Sequence, residues 1–205
     1  MNRIITIGRE FGSGGRELGK RLAELLGIAY YDKEIIEEIS KRTQLAESYV
    51  QGIVEHRAGV FFPITIGRSF HSAGSDYLMK QVASVYAEQT NVLREMAERS
   101  DCVIVGRCAD HILKDYDPMR IFVYADANSK LLRCREKADE NEHLSDAQLR
   151  KKMRTVDKNR AKYYHYYTEK EWGHRANYDL CVNTSSVSIK IVAEALAHML
   201  KRGDQ

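Results

Sequence analysis

The chain has 205 residues, 43% of them apolar and 30% charged, with a net charge of +3. That balance suits one sizeable folded domain and excludes a disordered chain; no run of eighteen apolar residues occurs, so no transmembrane helix is expected. The net charge is too small to demand a nucleic acid, and the four cysteines form neither a CxxC pair nor a metal-ligand spacing.

MNRIITIGRE at the start lacks the apolar core and cleavage site of a signal peptide, so a cytoplasmic protein is expected. Ile4 to Ile7 is a short apolar run closed by Gly8, which predicts a buried strand. Leu18, Leu22, Leu25 and Leu26 recur at helical spacing until Gly27 stops them. IAYYD at 28–32 reads as a second strand, and Ile35, Ile36 and Ile39 as the helix after it. Leu45, Tyr49 and Ile53 mark another helical stretch. Residues 57–74 have no helical period and predict a long loop. Leu78, Val82, Val85, Leu93 and Met96 then share one face of a long helix.

CVIVG at 102–106 is the next strand and turns into RCADHIL; RIFVYAD at 120–126 is another, with a helix from about Ser129. Ser145, with Gln148 three residues on, forms a capping-box pattern and opens a helix that runs through a basic region. YDLCVNT at 178–184 is the last strand, and Ile189, Val192, Leu196 and Leu200 mark the closing helix. Cys102 and Cys181 lie in apolar runs and are expected to be buried. Five apolar strands separated by helices predict an α/β fold with a mainly parallel sheet. Ligands of such sheets gather beyond the carboxyl ends of the strands. Three of those ends carry polar candidates: Gly8 to Arg16, Asp32, and Gly106–Arg107.

Gly12, Ser13, Gly14 and Gly15 stand between a strand and a helix. A helix start offers free amides and the positive end of a dipole, and glycines let the loop before it wrap an anion. The phosphate-loop pattern G-x-x-x-x-G-K-[ST] is absent, and the dinucleotide fingerprint fails at Glu17. A tight turn without a ligand is the competing reading of these glycines, and a carboxylate in a first helical turn such as Glu17 is favoured by the dipole whatever its use.

ITIGREFGSGGRELGKRLAELLG resembles the opening of the cytidylate kinases, within the nucleoside monophosphate kinases of the P-loop class. GREFGSGGRELG, YYDKEII and VIVGRCADHIL resemble more narrowly the cytidylate kinase-like proteins, and RTVDKNRAKYY and LCVNTSSVSIKIVAEAL extend the likeness nearly end to end. The resemblance implies one three-layer P-loop kinase domain, with a helical acceptor-binding region at about 32–98 and a lid at about 134–149. It implies ATP and Mg²⁺, and a nucleotide or other small molecule as acceptor. Gly12, Ser13 and Gly14 match the kinase loop, but Gly15 falls at the phosphate-bridging lysine and Glu17 at the magnesium-binding hydroxyl. Arg16 is the nearest cation able to turn toward the phosphates, Arg9 is a second, and Glu17 could hold Mg²⁺ through its own carboxylate.

On the acceptor side, Asp32 matches an aspartate of the family's monophosphate pocket, and Lys33 replaces the serine after it. Gly106–Arg107 match a GRD motif whose aspartate is here Cys108. That loss weakens a cytosine-reading role, which Asp110 could take over. Asp157 and Arg160 match members of the helix after the lid, where Lys158 replaces an arginine. Arg154 precedes Asp157 and Arg160 by three and six residues, which puts the three on one broad face. Arg154, Lys158 and Arg160 would bring cations to a migrating phosphoryl group, and Arg133 and Arg135 lead into the lid.

Residues 150–175 hold nine Lys/Arg against three Asp/Glu, with Tyr163, Tyr164, Tyr166 and Tyr167 among them. Aromatics among cations can bind single-stranded nucleic acid. Helical spacing instead predicts tyrosines packed under a lid or at the interface of a homodimer, so nucleic acid is not the expected partner. Two functions compete: ATP-dependent phosphoryl transfer to a nucleoside monophosphate or related small acceptor, and a non-catalytic nucleotide-binding or regulatory module with a degenerate loop.

Overall fold

The computed structural model describes residues 2–56, 73–138 and 144–202. Five strands form one sheet in the order β2-β3-β1-β4-β5, and every pairing is parallel. They are β1 (Ile4–Arg9), β2 (Ala29–Tyr31), β3 (Cys102–Val105), β4 (Met119–Tyr124) and β5 (Leu180–Asn183). The described helices are α1 (Gly15–Leu26), α2 (Lys33–Thr43), α3 (Glu47–His56), α4 (Ala73–Arg99), α5 (Ala109–Ile112), α6 (Ala127–Glu136), α7 (Asp146–Thr168) and α8 (Ile189–Arg202).

Strands buried on both faces read as continuous apolar runs, and side-chain alternation then sorts them between two cores. Ile5, Ile7, Val103, Val105, Ile121 and Val123 meet Leu18 and Leu22 of α1 and Ala193 and Leu196 of α8. Ile4, Cys102 and Ile104 face the other way, toward Ile35 and Ile39 of α2, Ile53 of α3, Leu93 of α4 and Tyr163 of α7. The result is three layers, as the resemblance implies, around the parallel sheet that the strand-helix alternation predicts. β1 lies between β3 and β4. The chain leaves it toward β2 on one side and later crosses from β3 to β4 on the other, so a crevice opens beyond its carboxyl end.

Local signals place most elements well. Ser145 caps α7, its hydroxyl accepting from Gln148 N at 3.3 Å while Gln148 Oε1 accepts from Ser145 N at 2.8 Å. Asp126 caps α6, accepting from the amides of Asn128 and Ser129, so that helix begins two residues before Ser129. Cys181 departs from expectation and is exposed. β5 is the edge strand, and its alternate residues Cys181 and Asn183 are exposed. Of the loop expected at 57–74, residues 73 and 74 belong to α4 and the rest lie outside the described residues. The stretch expected as a lid, 134–149, covers the end of α6 and the start of α7, with 139–143 outside the described residues. Among the described residues no helix is long and apolar enough to cross a membrane.

The tyrosines of α7 are used in packing. Tyr163 and Tyr164 are buried, and Tyr167 stacks on Tyr86 of α4 with ring centroids 3.7 Å apart. Only Tyr166 is substantially exposed among the four.

Ser145→Ala removes one half of the capping box. It should cost about 1 kcal/mol and lower the midpoint of thermal unfolding by about 2–4 °C for a domain of this size, read by circular dichroism.

Candidate functional site

The loop between β1 and α1 is held from behind by its carbonyls. Glu10 N donates to Val123 O at 3.0 Å, fixing the loop's first residue to β4. Ser13 donates twice to Glu10 O, from its amide at 3.3 Å and its hydroxyl at 2.8 Å. Arg133 donates to Gly12 O at 2.8 Å and to Thr184 O at 3.0 Å, and Thr184 Oγ1 donates to Ser13 O at 2.7 Å. The carbonyls of residues 10, 12 and 13 therefore already have protein donors. Ser13 is fully buried, and its hydroxyl belongs to the loop.

Gly14 caps α1 at φ 84 and supplies no side-chain hydrogen bond. A residue with a Cβ is strained at that φ, and here its Cβ would come within 2.6 Å of Ile189. The first-turn amides of α1 lack intrahelical partners and lie at the positive end of the dipole. This is the geometry expected of a phosphate cradle.

Asp157 braces the loop. Its Oδ1 accepts from Phe11 N at 2.7 Å, and Lys130 bridges its Oδ2, at 3.3 Å, to Glu10 Oε2, at 3.0 Å. Burial raises the Asp157 carboxyl above the usual range against these favourable contacts. Expected from sequence as a substrate contact, Asp157 instead braces the glycine loop and is not among the described residues that line the cleft.

In front of the loop lies a cleft of about 1090 Å³. Among the described residues, ten Lys/Arg line it against five Asp/Glu, an excess that suits a polyanion. Arg9, Gly12, Gly14, Gly15, Arg16, Glu17, Asp32, Lys33 and Arg160 are all brought to it. Arg16, the cation expected to turn toward the phosphates, is paired with Asp32 in this structure: its Nε lies 2.5 Å from Asp32 Oδ2. Asp32 is buried, and Arg9 Nη2 stands 4.0 Å from its Oδ1. Lys33, next to it at the start of α2, is exposed at the cleft rim.

On α7, Lys152, Val156 and Arg160 line the cleft at intervals of four residues. Arg154 and Lys158 are exposed and outside the lining. Two residues off that stripe is about 200° around a helix, so the broad face read from sequence divides. Arg160 Nη1 donates to Arg9 O at 3.2 Å and lies 3.7 Å from Asp157 Oδ1.

Arg107 follows Gly106 at the end of β3 and is buried. The Arg9 guanidinium packs on Gly106 so closely that a Cβ there would lie 1.7 Å from Nη1. Arg107 lines a second cavity, of about 40 Å³, with Cys108, Asp110, Tyr163, Tyr164 and Tyr178. Arg9 and Arg160 border both spaces. A volume of that size admits one or two waters. Cys108 is part of the core, and Asp110 accepts from Tyr164 Oη at 2.7 Å.

The donor set fits nucleotide phosphates and does not fit a seat for Mg²⁺. Glu17 is held by Arg21 Nε at 2.9 Å and by Lys137 Nζ. These contacts keep its carboxyl below the usual range, the Lys137 hydrogen bond most of all. Glu10 is engaged by Lys130, and Asp32 by Arg16. Among the described residues no three His, Cys, Asp or Glu side chains cluster as metal ligands.

Sequence reading passed over Lys137, Lys152, Lys130 and Thr184. Each reaches the loop or cleft from far along the chain, with only Thr184, at the end of an apolar strand, in a position that chain order alone singles out.

The sequence profile of the cytidylate kinase-like family matches residues 4–186. The chain belongs to that family. This cytidylate kinase-like protein is similar to the crystal structure of an uncharacterized protein from Eubacterium ventriosum: 27% identity, 97% of this chain and 98% of that one covered, TM-score 0.70. A shikimate kinase from Bacteroides thetaiotaomicron shares the fold at 17% identity over 98% of this chain and 99% of its own, TM-score 0.56. So does one from Acinetobacter baumannii in complex with shikimate, at 16% identity over 99% and 94%, TM-score 0.53. No curated protein matches the sequence. The architecture is that of the P-loop kinases.

Burial raises the Asp110 carboxyl, with the Tyr164 hydrogen bond acting against it. A raised carboxyl leaves stability unaffected below its unfolded pKa and costs stability as pH climbs through the folded value. Asp110→Asn should therefore unfold at nearly the wild-type temperature near pH 4 and at a higher one near pH 8. An equal difference at both pH values would refute this.

Proposed function

We propose that this protein transfers a phosphoryl group from ATP to a small acceptor at the carboxyl end of the sheet. The observation that carries the reading is the loop with tied-back carbonyls, opening at a helix N-terminus that has no side-chain cap into a cleft whose described lining holds twice as many cations as acids. Phosphoryl transfer asks a protein chiefly for positioning and for fixed positive charge around the migrating group. The amides of Gly14 to Glu17 and the side chains around them would hold the triphosphate. Arg160, on the cleft face of α7, would face the γ-phosphate across the loop. As the bond from the γ-phosphorus to the ADP oxygen breaks, an acceptor oxygen forms the new bond, and the charge spread over the group is met by guanidinium.

The acceptor would lie against Asp32 and Lys33 and the helices that follow them, α2 to α4. Mg²⁺, if it accompanies the nucleotide, would be held mainly by phosphates and water, since the nearby carboxylates are engaged. A nucleoside monophosphate remains within this reading. The small cavity beside Cys108 and the Asp110–Tyr164 hydrogen bond argue against reading a cytosine ring there.

A non-catalytic nucleotide-binding module is the second reading, favoured by Gly15 at the place of the phosphate lysine. ADP formation from ATP and Mg²⁺ with a panel of nucleoside monophosphates and small hydroxy and phosphate acceptors separates the two. ADP formation that depends on one acceptor, reduced by about a hundredfold or more in Arg160→Ala with an unchanged fold, supports transfer. Saturable ATP binding with no turnover on any acceptor supports the module.

A further inference from the structure

We propose that Lys137 is the cation standing in for the missing loop lysine, with Glu17 as its positioning residue rather than a metal ligand. The inference rests on the phosphoryl-transfer reading and names a residue of that site.

A phosphate loop without a lysine leaves a gap in the charge facing the outer phosphates. Two cations close to it in the chain or fold are committed elsewhere. Arg16 is on Asp32, and Arg133 is on two backbone carbonyls. Lys137 arrives from 120 residues away, just beyond the end of α6, and its ammonium sits on Glu17 Oε2 in the first turn of α1. Both side chains line the cleft, and the Lys137 side chain remains 55% exposed.

The number of donors decides what Lys137 can do there. An ammonium carries three N–H groups, and Glu17 accepts from one. Two remain for phosphate oxygens. On its other oxygen, Glu17 is paired with Arg21 Nε at 2.9 Å. One carboxylate between two cations leaves a net positive charge at a helix N-terminus, where anions are already favoured. A metal ion at Glu17 would compete with a cation on whichever oxygen it approached. The approach of Lys137 is steadied two residues earlier, where Arg135 Nη2 lies 2.7 Å from Asp146 Oδ1 in the first turn of α7. Glu17 occupies the position of a magnesium-binding hydroxyl in the kinases that this loop resembles. Here that position recruits a lysine.

Calorimetric titration of ATP and AMP, each with and without Mg²⁺, tests the assignment on wild type, Lys137→Met, Lys137→Arg, Glu17→Gln and the double variant Glu17→Gln/Lys137→Met. Thermal unfolding serves as the folding control. Lys137→Met should weaken ATP binding about tenfold, the loss of one charge-assisted hydrogen bond, with or without Mg²⁺. AMP, which lacks the outer phosphates, should bind as it does to wild type. Glu17→Gln should move ATP affinity the same way, the double variant should be no weaker than Lys137→Met alone, and Lys137→Arg should recover part of the loss.

Wild-type ATP affinity in Lys137→Met overturns the inference and leaves phosphoryl transfer standing. So does equal loss of ATP and AMP, which would mean a displaced loop. A loss in Glu17→Gln that appears only with Mg²⁺ returns Glu17 to the metal, and tighter ATP binding in that variant removes its positioning role. Wild type that binds no ATP overturns the phosphoryl-transfer reading itself.

Discussion

A guanidinium buried at the carboxyl end of the central strand has to be answered by everything around it. Arg9 is almost wholly enclosed, and an enclosed charge is costly unless other groups meet it. Asp32, at the end of β2, supplies negative charge 4.0 Å away. Gly106 supplies flat backbone for the guanidinium to lie on, and Gly15 supplies room for the Arg9 stem, since a Cβ there would come within 2.4 Å of the Arg9 Cβ. The Arg9 carbonyl in turn receives Arg160 from α7. One buried charge thus draws together four segments of the chain, and it separates the large cleft from the small cavity behind it.

That arrangement explains why two of the glycines cannot be exchanged even before a ligand is considered. Gly14 and Gly15 are packed against Ile189 and Arg9, so the turn reading and the phosphate-cradle reading of this loop are not alternatives. Tight internal packing lets the loop hold its amides in place, and amides fixed in advance lose less on meeting an anion. The same logic runs through the carboxylates. Asp157, Glu10, Glu17 and Asp32 each balance a cation that builds the site, and none stands by itself as a ligand.

The fold was largely legible because its signals are local. Strand runs, the Ser145 capping box and the α7 tyrosines depend on residues within one or two turns of each other. Cys181 was misjudged because an apolar run does not reveal whether its strand lies at the edge of the sheet. The site was legible in part. Glycines 12, 14 and 15, Asp32 and Arg160 reach the cleft as their order in the chain implies. Arg154 and Lys158 do not, because charge counts along a helix say nothing about which stripe the neighbouring layer covers. Asp157 and Lys137 acquire their roles from contacts 146 and 120 residues away, which no local pattern encodes.

The hydrogen bond from Thr184 to Ser13 joins positions 171 residues apart. Ser13 lies in the first turn of chain after the first strand, yet its carbonyl is satisfied only when the last strand is in place. Contacts of such long separation form late, once loop-closure entropy has been offset by earlier structure. A chain cut before residue 184 would keep every residue of that loop and lose one of the contacts that hold its carbonyls, so the loop's geometry is tied to a strand far from it in the sequence.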